Sequence, residues 1–113
     1  MSDSVTRRLK VALTLVWADD DIYHATVSVT VSDSGYLPGN LYVGLPVGKV
    51  GLSEIEYLTF DFTHKDSACG DLVKTIEKTI DLKFSSARPT VTAFAVVDGG
   101  VVGQDTKLFP KRQ

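Results

Sequence analysis

Two side chains in this sequence pair a nucleophile with a base at short range, His64 and Cys69. A thiolate is the reactive form of cysteine, and a helix N-terminus or a neighbouring imidazole lowers the thiol pKa. His64 ends an alternating apolar row, and Cys69 opens an apolar stripe with helical spacing, so a fold could bring them together. A small cysteine at the head of an apolar stripe is also what a buried core residue looks like. Asp61 falls on the opposite parity from His64 and is a poor orienting partner for it. His64 and Cys69 are therefore the catalytic candidates, and catalysis is not the favoured role.

Other polar clusters carry less chemistry. Gly44-Leu-Pro-Val-Gly48-Lys49-Val50 superficially resembles a phosphate loop, but that motif needs four residues between its glycines and Ser or Thr after the lysine. The segment is read as a plain turn. Asp19-Asp20-Asp21 concentrates carboxylates that suit a hard cation, yet the spacing lacks the alternation of a calcium loop, so a solvated turn is expected. Two histidines and one cysteine on different elements do not form a zinc ligand set, and neither a metal nor a cofactor is expected. Arg7, Arg8 and Lys10 form a small basic cluster without aromatic neighbours for base stacking. With a formal net charge of −2, nucleic acid is not an expected partner. Tyr36 and Tyr42 are contact candidates for a partner, weighed against packing on their own loop.

The elements that must position these residues are mostly strands. Val, Thr and Ile number 15, 11 and 4, and such residues favour a pleated surface. Leu9, Val11, Leu13, Leu15 and Trp17 share one parity, and so do Tyr23, Ala25, Val27, Val29 and Val31. For both sets to face one side, Trp17 must pair with Tyr23. Leu15 then meets Ala25, Leu13 meets Val27, Val11 meets Val29 and Leu9 meets Val31. The opposite face pairs Val16 with His24, Thr14 with Thr26, Ala12 with Ser28, Lys10 with Thr30 and Arg8 with Ser32. The three aspartates form the loop.

Residues 33–53 are rich in Gly and Pro and read as a mobile loop around a short strand at 41–43. A strand over 54–64 points Leu58, Phe60 and Phe62 inward. Cys69, Leu72, Val73, Ile76 and Ile80 lie at i, i+3, i+4, i+7 and i+11, which predicts one helix ending near Lys83. Arg88-Pro89 breaks the chain, a strand covers 90–97, Asp98-Gly99-Gly100 marks a tight turn, and a last strand leads to a polar tail at 110–113. The expected fold is a single α+β domain over 1–113 with a mainly antiparallel five- to six-stranded sheet and one helix, in the order β-β-(β)-β-α-β-β.

That architecture has a consequence for function. One helix, about 10 Å across, cannot cover a sheet about 25 Å wide. The apolar hairpin face would stay open unless a ligand or second subunit covered it. Leu9, Leu13, Trp17, Tyr23 and Val27 are therefore expected at a partner or pocket surface. The favoured function is a non-catalytic binding or assembly module, acting as a homo-oligomer, most simply a dimer, through its sheet. The alternative is a small ligand-binding or enzymatic barrel with a pocket between the sheet and segment 33–53. The Thr26, Ser28, Thr30 row could face an ordered surface such as a carbohydrate. No apolar run is long enough for a membrane span, the N-terminal stretch does not read as a signal peptide, and the lone cysteine favours a reducing compartment. A cytoplasmic protein with no membrane partner is the expectation.

Overall fold

The computed structural model describes residues 8–65 and 71–111. Seven strands make up the fold: β1 (Lys10–Asp19), β2 (Ile22–Asp33), β3 (Tyr36–Val43), β4 (Ile55–His64), β5 (Asp71–Lys83), β6 (Thr90–Val97) and β7 (Gly100–Leu108). They form a three-stranded sheet, β1-β2-β5, and a four-stranded sheet, β3-β4-β6-β7. All pairs are antiparallel except β4 and β6, which run parallel. The chain passes from β4 through β5, in the opposite sheet, before returning to β6.

The first hairpin follows from alternation alone. Lys10 pairs with Thr30 and Trp17 with Tyr23, as both apolar sets demand. The ends differ from expectation. Asp19 joins the ladder opposite Ile22 after an irregularity at Ala18, so the turn is Asp20-Asp21 alone. Leu9 leaves Val31 and instead donates its N–H to the Val102 carbonyl at 3.0 Å. β1 thereby turns onto β7 and closes one side of the molecule.

The helix expected to end near Lys83 does not form over 71–83, its expected start lies outside the described residues, and there is no helix among those described. β5 occupies 71–83 and pairs with β2 from Ile22–Lys83 to Asp33–Asp71. A spacing of four suits one helical turn and also any even-numbered strand position, so Ile76 and Ile80 fit both periods. The β-branched run Thr75, Ile76, Thr79, Ile80 and a full-length partner in β2 decide for the strand. Cys69 lies outside the described residues. The α+β class with a single sheet is thus corrected to an all-β sandwich of two sheets.

This correction changes what covers the hairpin. Leu13, Ala25, Val27, Val29, Val31 and Leu82 face Leu58, Phe60, Phe62, Val91, Ala93 and Ala95 of the other sheet, forming one core. Each large side chain so buried contributes about 1.5–3 kcal/mol. The molecule is only 17 Å thick in its shortest dimension, as two packed sheets require. At the hairpin end, Tyr23, Phe84 and Phe109 form an aromatic cluster, with Tyr23 and Phe109 centroids 4.9 Å apart. The Tyr23 hydroxyl donates to the Pro110 carbonyl at 2.7 Å and ties down the C-terminal segment.

Two positions need glycine. Asp98 and Gly99 both adopt positive φ, 49° and 86°, which makes the type I′ turn expected from their sequence. At Gly103 a Cβ would overlap the Leu9 carbonyl, so only glycine lets β7 approach β1 there. The far edges are guarded. β3 carries Pro38 and a ladder break before Leu41, and the Lys78 ammonium of β5 reaches across to the Gly39 carbonyl at 2.9 Å.

Candidate functional site

His64 ends β4, Tyr36 opens β3 directly opposite it, and Asp33 ends β2 in the other sheet. His64 Nε2 lies 2.9 Å from Asp33 Oδ1 and 3.2 Å from Oδ2. Their side chains are only 8% and 15% exposed, so the pair is largely shielded from water. The Tyr36 ring packs on the imidazole with centroids 4.4 Å apart. The Gly35 N–H donates to Asp33 Oδ1 at 2.7 Å, and the Lys65 N–H donates to the Gly35 carbonyl at 2.9 Å. A carboxylate that orients an imidazole is one part of a nucleophilic site. Here it also joins the two sheets where the chain crosses between them.

Asp33 was not visible as the partner of His64 in the sequence. Its only signal was membership of the turn-forming run Asp33-Ser34-Gly35, and nothing local says that β2 and β4 end side by side. Among the described residues, no group of three His, Cys, Asp or Glu side chains converges as a metal site.

The expected partner surface lies mostly inside the molecule. Leu9, Leu13, Tyr23 and Val27 are buried in the sandwich, as is Tyr36. Tyr42 is half-buried on β3. Trp17 alone among them counts as exposed, at 37%, and its indole N–H donates to the Asp20 carbonyl at 2.8 Å. The chain's own second sheet, rather than a subunit or ligand, covers the apolar hairpin face.

What the structure does expose is the β3–β4 connection. Pro46 is buried, and the Lys49 N–H closes a turn on its carbonyl at 3.1 Å. The Gly44 carbonyl accepts from Thr59 Oγ1 at 2.8 Å, and the Leu52 N–H donates to the Tyr57 hydroxyl at 2.9 Å. Tyr57 in turn stacks on Phe94. Between these anchors Val47 and Val50 are each 96% exposed and Leu52 is 60% exposed. The expected mobile loop over 33–53 is therefore a strand followed by a connection pinned at several points.

Lys49 also forms one wall of a groove of about 520 Å³. Arg8, Leu9 and Lys10 at the start of β1 form another wall, and Val101 to Gln104 of β7 complete it. Among the described residues, three cations and no carboxylate line this groove. The reverse side of the hairpin sheet is polar and regular. His24 meets Asp81 at 2.7 Å, Thr26 meets Thr79 at 2.8 Å, Ser28 donates to Glu77 at 3.0 Å and Thr30 meets Thr75 at 3.2 Å. These rungs satisfy one another across β2 and β5. No family model, curated protein or solved structure matches this chain.

Proposed function

We propose that this chain is a non-catalytic binding and assembly module that associates with copies of itself. The observation that carries the reading is the pair Val47 and Val50, 96% exposed on a connection anchored by buried Pro46. Contact residues characteristically sit on loops positioned by a rigid scaffold. Aliphatic side chains held out in water by a fixed backbone lose little conformational freedom on binding, so their burial favours association. The contact surface is then this connection rather than the inner sheet face. The alternative, a small ligand site beside segment 33–53, draws on the groove that Lys49 lines, but that groove is open and polar, unlike a cavity that buries most of a ligand.

Light scattering coupled to size-exclusion chromatography tests the reading. Mass should rise with concentration for the native chain, and Val47→Asp with Val50→Asp should weaken association by roughly tenfold or more. A native chain that stays monomeric at every concentration sinks the proposal.

A further inference from the structure

We infer that the groove beside Lys49 binds a compact phosphate-bearing ligand, a phosphate monoester or a diphosphate. The site does not depend on self-association. Among the described residues, Arg8, Lys10 and Lys49 line the groove and no carboxylate does. None of these three cations makes an ion pair among those residues, whereas Arg88 and Lys107 each have a carboxylate partner. Leu9 and Val102 add apolar wall. A cleft lined by one sign of charge, with walls of low dielectric, focuses the field and concentrates anions from solution. The chain as a whole carries a net charge of −2, so this attraction belongs to the groove and not to the general surface.

Three fixed pieces of backbone build the groove. The Leu9 N–H bond to the Val102 carbonyl, at 3.0 Å, joins the start of β1 to β7. Gly103 lets those two backbones come that close. Lys49 is placed by the turn that its N–H closes on the carbonyl of buried Pro46. A ligand therefore has only side chains to order, which lowers the cost of binding. The donor set suits phosphate. A guanidinium offers paired N–H donors to two phosphate oxygens, lysine ammoniums act as point charges, and the exposed Gln104 carboxamide brings further N–H donors. A phosphate monoester carries about 1.5–2 negative charges at neutral pH against one for a carboxylate, so it answers three cations better. Openness counts against an apolar ligand but not against an anion, whose outer oxygens stay hydrated. A space of about 520 Å³ holds a molecule of metabolite size. Among the described residues no aromatic side chain lines the groove for base stacking, so a nucleic-acid strand fits less well.

Isothermal titration calorimetry with inorganic pyrophosphate tests the site. A groove variant carries Arg8→Gln and Lys49→Gln. A control carries Lys83→Gln and Lys111→Gln, which removes the same charge at exposed positions outside the groove; Lys83 lies opposite Ile22, at the other end of the hairpin sheet from Lys10. The native chain and the control should bind pyrophosphate alike, and the groove variant should bind it roughly tenfold or more weakly. Acetate should bind none of them measurably. Unchanged thermal melts of both variants establish that they fold. Flotation with phosphatidylcholine vesicles carrying phosphatidylinositol phosphate separates the two sources of phosphate. Pyrophosphate binding without flotation assigns the site to a free phosphorylated molecule. Flotation that the groove variant abolishes and the control keeps assigns it to a lipid headgroup. Failure of the native chain to bind either probe overturns the site. Equal losses in the two variants also overturn it, because the attraction then belongs to the charge of the whole chain. Acetate binding as tight as pyrophosphate binding overturns the phosphate class.

Discussion

Asp105 shows how a single charged residue serves the fold. It lies opposite Ala93 on β7, on the inward side at the edge where β1 and β7 meet. Its Oδ2 accepts from the Leu13 N–H at 2.8 Å and from the Lys107 ammonium at 2.8 Å. Burial alone would raise its pKa. The hydrogen bonds from Lys107, Leu13 and Thr106, together with the Lys107 charge, outweigh burial and hold it below its ordinary value of 3.8. A carboxyl with a lowered folded pKa stabilises the protein fully above the unfolded value. That contribution is lost as pH falls through the folded value. We therefore expect stability to decline as pH falls below about 4, with a shallower decline in Asp105→Ala. At neutral pH the same substitution leaves the Leu13 N–H without its partner and should cost about 1–3 kcal/mol in urea unfolding. Equal acid limbs for the two proteins would refute this. The sequence announces Asp105 no more clearly than it announces Asp33. In both cases the partner comes from a strand far away along the chain.

At the scale of the element, β5 is the informative case. The helical reading puts Val73 and Ile80 on one buried stripe. The strand puts them on opposite faces, and Val73 is 76% exposed while Ile80 packs against the core. Val73→Ala should change stability by no more than about 0.5 kcal/mol. Ile80→Ala should cost about 2 kcal/mol, since a half-buried aliphatic sits at the low end of core truncations. Comparable losses at both positions, or a helical signal in far-ultraviolet circular dichroism, would contradict the strand. β1, β2, β4 and β6 were legible because each alternates without a competing period. β5 is not, because Lys78 interrupts its inward row and leaves Ile76 and Ile80 four apart, with only Leu82 resuming the alternation. In the sequence β3 reads as mostly loop because Pro38-Gly39 looks like a break; on an edge strand, proline and a bulge are tolerated.

The whole molecule is an elongated two-layer sandwich, 46 by 27 by 17 Å, with closure at β1–β7 and a lysine tether at β3–β5. Its stability depends on the facing of the two sheets. Phe60 sits at the centre of that contact with no exposed surface, against Phe62 at a centroid distance of 4.5 Å. Phe60→Ala should cost about 3–5 kcal/mol and lower the urea midpoint accordingly. A loss under about 1 kcal/mol would mean that the sheets do not pack as described.

Alternation of Val, Leu and Thr was enough to determine the pairing of the first hairpin from Lys10–Thr30 to Trp17–Tyr23 and which face is apolar, since a one-residue slip would turn every apolar side chain to water. Turn chemistry was enough for Asp98-Gly99, since only such residues accept two positive φ values in succession. The sequence also specified a large apolar face that something had to cover. What covers it was decided only in three dimensions. Residues 71–83 gained a partner along the full length of β2, which made them a strand, and the remaining four strands then formed a sheet wide enough to cover the hairpin. The site followed the same rule. His64 was visible as a candidate, but Asp33 beside it and Lys49 beside Arg8 and Lys10 depend on which strand ends and loops meet. Local periodicity does not encode those meetings.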